Sequence, residues 1–226
     1  MLKAIIFDFD GIIAHTEPVH LKAFQATLGD YDMDITEEEY FEKYLAYDDK
    51  TFFRKLLQDR EMDYEEPILM EMMRVKSAHY DELISGNIQL LPGVQEFVKS
   101  AGLKYPLAIG SGALGREIRQ ILIYSGLESY FKIIVSAEDV ERSKPAPDVF
   151  IEARSRVNQA FSGAGVIFSE NCLVIEDSVF GVEAALAAGM KCLAVTNSYP
   201  VIKLSRAQLI KDSLQGLGLD ELEALF

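Results

Sequence analysis

AIIFDFDGII, residues 4–13, starts as a strand meant for the interior and then places two carboxylates, Asp8 and Asp10, beside a glycine. A short apolar run closed by Gly11 reads as a strand covered on both faces, of the kind found in parallel sheets. Two acids at such a place need a reason. Two carboxylates ~4 Å apart repel by about 4 kcal/mol at an effective dielectric of ~20.

The rest of the chain repeats the strand and supplies the helices. From residue 87 onward, short apolar runs at 107–109, 133–135, 172–175 and 192–195 alternate with helical patterns at 93–101, 113–124, 147–157 and 179–188. Pro92 suits a first helical position, with Gly102 just past the end. Strand and helix in alternation predict a parallel sheet with helices on both faces.

Residues 17–85 follow a different grammar. They hold Gly29, Pro18 and Pro67 as their breakers and show helical spacing without a convincing strand. Thr36 to Glu39 forms a capping box. Phe52, Phe53, Leu56 and Leu57 share one helix side, and Ile68, Leu69, Met72 and Met73 repeat the pattern. The aromatic stripe of Tyr44, Tyr47, Phe52 and Phe53 is expected to be core of this helical piece. The chain therefore reads as an α/β domain, residues 1–15 and 86–226, interrupted after its first strand by a helical insertion at 16–85.

Composition narrows the partners. The chain has 226 residues and a formal charge of −14, and 49% of it is apolar. That charge disfavours nucleic acid and anionic membranes. No apolar run approaches a membrane span. Lys3 is followed at once by a short apolar run and acids, unlike a secretory leader. Cys172 and Cys192 lack CxxC spacing and read as small buried strand residues. The expectation is a cytoplasmic protein, taken as a monomer.

Open α/β sheets bind ligands at the carboxyl ends of their strands. Reading the residues after successive runs gives Asp8, Asp10 and Gly11; then Gly110, Ser111 and Gly112; then, across a short connection, Ser143, Lys144 and Pro145; then Glu176, Asp177 and Ser178. Four acids gathered in one place need a cation or a shared proton. Hard oxygen donors with room for water and phosphate favour Mg²⁺. Lys144 and the backbone N–H groups around Ser111 and Gly112 would then hold phosphate oxygens. Taken alone, Ser111 is also a candidate cap of the following helix.

DFDG at 8–11, GS at 110–111, SKPAPD at 143–148 and IEDS at 175–178 together resemble, in order, the four motifs of the haloacid dehalogenase-like phosphohydrolases. The insertion after the first motif resembles the helical cap of the subgroup containing β-phosphoglucomutase and phosphoglycolate phosphatase. The resemblance implies a Rossmann-like core with an inserted cap, and a Mg²⁺-dependent phosphatase acting on a small phosphorylated metabolite through an aspartyl-phosphate. It makes Asp8 the nucleophile and Asp10 the general acid and base. Ser111, Gly112 and Lys144 become the phosphate grip. Asp8, Asp10, Glu176 and Asp177 become the metal site. His20 and Lys50 are candidate substrate contacts from the insertion.

Two positions depart from the pattern. His15 stands where many relatives carry Asp, at the start of the insertion. Asp49, followed by Lys50, stands where the mutases of this branch place a phosphate-binding arginine, and the next arginine is Arg54. A sugar phosphomutase must grip a second phosphate, which arginine does better than lysine. The expectation is therefore a phosphatase, with the mutase as the alternative. A phosphorylated signalling receiver also clusters acids, a hydroxyl and a lysine, but needs neither the insertion nor a second acid two residues past the first.

Overall fold

The first strand, β1 (Ala4–Phe7), is buried along its whole length. It pairs in parallel with β2 (Leu107–Gly110) on one side and β4 (Cys172–Glu176) on the other. The computed structural model describes residues 1–45, 47–84, 89–161 and 165–226. With β3 (Ile133–Val135), β5 (Lys191–Val195) and β6 (Leu209–Lys211), the sheet has six parallel strands in the order β3-β2-β1-β4-β5-β6.

Alternation along β1 explains why every residue of it is apolar. Ala4 and Ile6 pack into a cluster with Val149, Phe150 and Ala153 of α7 (Asp148–Ala160) and Val182 and Ala185 of α8 (Val179–Ala187). Phe7 turns the opposite way. Its ring meets Phe97 of α5 (Val94–Gly102) at 6.0 Å and Phe131 at 5.3 Å, both edge to face. Helix α6 (Gly115–Ser125) links β2 toward β3, and α9 (Leu219–Glu223) is near the C-terminus.

The chain divides into two compact units, Met1–His15 with Gln89–Phe226, and Thr16–Ile88. The expected return to the first unit at residue 86 lies outside the described residues. Where the first unit is left and re-entered, Ala14 bridges Leu90 antiparallel, and Leu91 N–H donates to Ile13 O at 3.1 Å.

The second unit's regular structure, among its described residues, is four helices: α1 (Glu17–Gly29), α2 (Glu37–Lys43), α3 (Asp49–Asp59) and α4 (Glu66–Ile84). Its starts are set locally. Thr36 Oγ1 accepts from Glu39 N–H at 3.1 Å, and Asp48 Oδ1 accepts from Thr51 N–H at 2.9 Å. The aromatic stripe is core: Tyr44, Phe52 and Phe53 are buried, and Phe52 stacks on Phe24 at 3.8 Å. Ile68 departs from the expected pattern, because it is exposed.

Several boundaries differ from the sequence reading. β1 stops at Phe7, so Asp8 and Phe9 are already loop. α5 begins after Gly93 rather than at Pro92. α6 begins at Gly115, capped by Leu114, so Ser111 is not its cap. β6 has no counterpart among the expected runs: three half-buried residues at a sheet edge carry too little apolar signal. No described helix is long and apolar enough to cross a membrane.

Candidate active site

The chain runs from β1 outward to β2 and β3, then crosses back to β4 on the other side of β1. Between β1 and β4 lies the point where strand order reverses, and ligands bind there in open α/β sheets. Phe7 pairs with Ile175 across these two strands. Asp8 and Glu176 therefore leave the sheet side by side, and Asp8 N–H still donates to Ile175 O at 2.9 Å.

Asp8, Glu176 and Asp177 are all buried and each offers a carboxylate oxygen, the three lying within 4.8 Å of one another. Lys144, from the loop before α7, is driven between two of them. Its Nζ lies 2.8 Å from Asp8 Oδ1 and 2.6 Å from Glu176 Oε1. The Phe150 ring covers the ammonium at 4.9 Å.

The charges of this cluster are strongly perturbed. Burial pushes the Asp8 carboxyl up to about 7; Lys144 opposes the rise, and Glu176 and Asp10 add to it. Burial also works against the Lys144 charge, but the Asp8 and Glu176 carboxylates outweigh it and raise its pKa, so the lysine stays cationic.

Glu176 is held from both ends. Oε1 faces Lys144, and Oε2 accepts from the N–H groups of Asp177 and Ser178 at 2.8 and 2.7 Å and from Ser178 Oγ at 2.9 Å. Gly181 makes room for it, since a Cβ there would come within 1.7 Å of Glu176 Oε1. Its donors make Glu176 the part of the cluster that orders the others. Asp8 Oδ1, by contrast, is buried and is met by the Lys144 ammonium at 2.8 Å.

A hard divalent cation fits this donor set. Three buried carboxylates converge with a single ammonium against them, and no thiol or imidazole is among the donors. The cluster can thus hold a metal at the carboxyl edge of β1 and β4.

The remaining expected residues are placed as follows. Asp10 is half-buried in the turn after β1, where it bridges Ala14, and lies near enough to raise the Asp8 pKa. Ser111 is buried just past β2, its N–H donating to Val135 O at 3.0 Å and its Oγ accepting from Ala113 N–H at 3.2 Å. Gly112 is exposed beside it. His20 and Lys50 belong to the helical unit. His20 is buried, its ring 4.5 Å from Tyr80 and its Nδ1 2.8 Å from Lys76 Nζ. Lys50 is half-buried and pairs with Glu66 at 2.9 Å.

Two residues were missed from sequence. Asn197 Nδ2 donates to Gly11 O at 2.7 Å, and Ser198 Oγ donates to Asp177 Oδ2. They follow β5, at the same carboxyl edge of the sheet as Glu176 and Asp177. Applying the strand-end rule to Thr196, Asn197 and Ser198 would have found them.

Fold and site together define a doubly wound α/β protein whose switch point gathers three buried carboxylates and a lysine. The chain belongs to the haloacid dehalogenase-like hydrolases, whose family model matches residues 5–195. It is 30% identical over 191 residues to the fructose-1-phosphate phosphatase YqaB of Escherichia coli, covering 84% of this chain and 95% of that one. It is also 30% identical over 194 residues to a phosphorylated carbohydrates phosphatase of Thermotoga maritima, covering 84% and 83%. Among solved structures, CbbY of Rhodobacter sphaeroides in complex with phosphate superposes with a TM-score of 0.85 at 25% identity, over 96% of this chain and 97% of that one.

Proposed function

We propose that this chain is a Mg²⁺-dependent phosphatase that removes phosphate from a small phosphorylated metabolite through an aspartyl-phosphate on Asp8. The observation that carries this reading is the cluster of Asp8, Glu176 and Asp177 with Lys144 ion-paired to Asp8. A nucleophilic carboxylate, a set of oxygen donors and a fixed cation stand together where a phosphoryl group needs all three.

Asp8 and Asp177 would hold Mg²⁺ together with the backbone carbonyl of Asp10, with Glu176 ordering them. When bound, the ion supplies positive charge that offsets the repulsion between phosphate and the acids. An Asp8 carboxylate oxygen attacks phosphorus, forming an O–P bond as the bond from phosphorus to the leaving oxygen breaks. Asp10 gives its proton to that leaving oxygen. Asp10, now ionised, takes a proton from water, and the water oxygen attacks phosphorus to release inorganic phosphate and restore Asp8. Lys144, Ser111 and the Gly112 N–H hold the non-bridging oxygens throughout.

Phosphorylated carbohydrates are the substrate class to try first, because the two relatives described above, of Escherichia coli and Thermotoga maritima, carry such substrates in their names. The helical unit would serve as the cap that selects the leaving group. Hydrolysis is favoured over transfer by Asp49. A mutase grips a second phosphate, and here the position holds an acid bonded to Lys76 at 2.8 and 2.9 Å. A cytoplasmic enzyme is the reading we favour, since unpaired cysteines persist in that compartment.

The test is phosphate release from a panel of sugar phosphates and small organic phosphates, with Mg²⁺ and with chelator, for the wild type and Asp8→Asn. Release that needs Mg²⁺, needs no bisphosphate activator and disappears in Asp8→Asn is the expected result. Near-normal turnover by Asp8→Asn would end the nucleophile assignment.

A further inference from the structure

We propose that Asn197 and Ser198 are positioning residues that lock the Asp10–Gly11 turn and the Asp177 carboxylate into one arrangement for a divalent cation. The proposal rests on the metal-dependent reading above and extends it to a segment that none of the four motifs contains.

The two residues sit just past β5, whose Ala194 pairs with Glu176 in register. The segment therefore emerges next to the loop that bears Asp177. From there the adjacent side chains reach two different parts of the site. Ser198 Oγ donates to Asp177 Oδ2, fixing the carboxylate about its last torsion. Asn197 Nδ2 donates at 2.7 Å to the carbonyl of Gly11, a residue 186 positions away. Gly11 and Asp177 are themselves in close approach, since a Cβ on Gly11 would lie 1.9 Å from Asp177 Oδ2. Three chain segments thus close on one carboxylate.

Each hydrogen bond acts on a group whose position matters to an oxygen-ligated cation. The backbone of Asp177 is held by Glu176 through its N–H, and the side chain by Ser198. Without the Ser198 hydroxyl the carboxylate samples more orientations, and binding must select the productive one. Outer hydrogen bonds of this kind typically contribute a factor of about 10 to 100 in metal affinity. Asn197 is exposed, so its amide is under no burial constraint to find a protein partner. Its bond to Gly11 O fixes the turn that presents Asp10.

The experiment measures Mg²⁺ and Mn²⁺ binding without substrate, by calorimetry and by Mn²⁺ paramagnetic resonance, on wild type, Ser198→Ala, Ser198→Thr and Asn197→Ala. Melting in chelator is run alongside. The expected result is about tenfold weaker metal binding in Ser198→Ala and in Asn197→Ala. Ser198→Thr, which keeps the hydroxyl, stays within about twofold of wild type. For Ser198→Ala, kcat recovers at saturating Mg²⁺ while the Mg²⁺ requirement stays raised, a split that mere loss of packing does not produce. Wild-type affinity in both alanine variants overturns the inference while leaving the phosphatase reading intact. Absence of metal binding by wild type overturns the metal-dependent reading and this inference with it. If Ser198→Ala does not fold, Asn197→Ala, at an exposed position, decides the question.

Discussion

A Cβ placed on Gly11 would lie 1.9 Å from Asp177 Oδ2, so the turn after β1 and the acid after β4 touch through the one side chain that is absent. Gly11 also holds φ at +73°, a conformation that costs other residues about 1–2 kcal/mol. Gly11→Ala therefore strains the turn and displaces the Asp177 carboxylate together. Phosphate release is expected to fall by at least about a hundredfold, and metal affinity with it, while far-ultraviolet circular dichroism stays native. A variant with wild-type turnover would show that the contact has no bearing on the reaction.

The buried Asp8 carboxyl sets a pH dependence in metal-free protein. Its pKa is raised from 3.8 to about 7 in the fold, by burial first. A raised value means that the native state binds the proton more tightly than the unfolded chain does. The resulting stability is present below about pH 4 and is lost as pH rises through about 7. Asp8→Asn removes this dependence. In chelator its melting temperature is expected to gain on wild type by several degrees between pH 4.5 and 7.5. A constant gap across that range would contradict the assignment.

In the helical unit, Lys76 is fully buried with its Nζ 2.8 and 2.9 Å from the Asp49 oxygens, 4.9 Å from the centroids of both the Phe24 and Tyr80 rings. Lys76→Met leaves Asp49 without its cation and is expected to destabilise the protein by about 3–5 kcal/mol. Replacing both, as Lys76→Met with Asp49→Leu, should recover more than about 1 kcal/mol of that loss. Denaturant unfolding of the two single variants and the double variant supplies the comparison, and strict additivity would argue against coupling.

Cys172 and Cys192 are free and buried. Burial pushes the Cys172 thiol up to about 12 and that of Cys192 higher still, so neither offers thiolate at neutral pH. A disulfide-exchange reagent at pH 8 is expected to label no thiol in the native protein and both in guanidinium. Rapid labelling of either in the native state would mean that its strand opens.

Lys144 binds two acids at once, Asp8 and Glu176. Lys144→Met leaves two buried carboxylates facing each other. The metal-free protein is expected to lose about 3–5 kcal/mol of stability, and added Mg²⁺ to restore part of it. A variant as stable as wild type in chelator would mean that the acids are solvated or protonated without the lysine.

Period and punctuation made most of the fold legible in the sequence. Apolar runs of three to five residues, each ended by polar or glycine-rich turns and followed by a helical stripe, specify parallel strands because both faces must be covered. The helical insertion was legible for the same reason, through its 3.6-residue spacing and its cap at Thr36; the Asp48 cap shows only in the structure. Edge strand β6 was not, since three half-buried residues bury too little to leave a pattern.

The sequence by itself determined which acids, which lysine and which hydroxyl end the strands, because a carboxylate at the end of a buried run is visible without coordinates. Only the tertiary structure decided how these groups share the work. Lys144 ion-pairs with Asp8 and Glu176 together, and Glu176 turns both oxygens to donors, Lys144 on one side and the Asp177 and Ser178 N–H groups on the other. His20 and Asp49 proved to be bonded to a buried lysine that no motif marked. Asn197 and Ser198 reach the site because β5 lies beside β4, across 186 and 21 residues of chain respectively. Strand order brings such partners together, and strand order is set by how the sheet packs, which local periodicity does not encode.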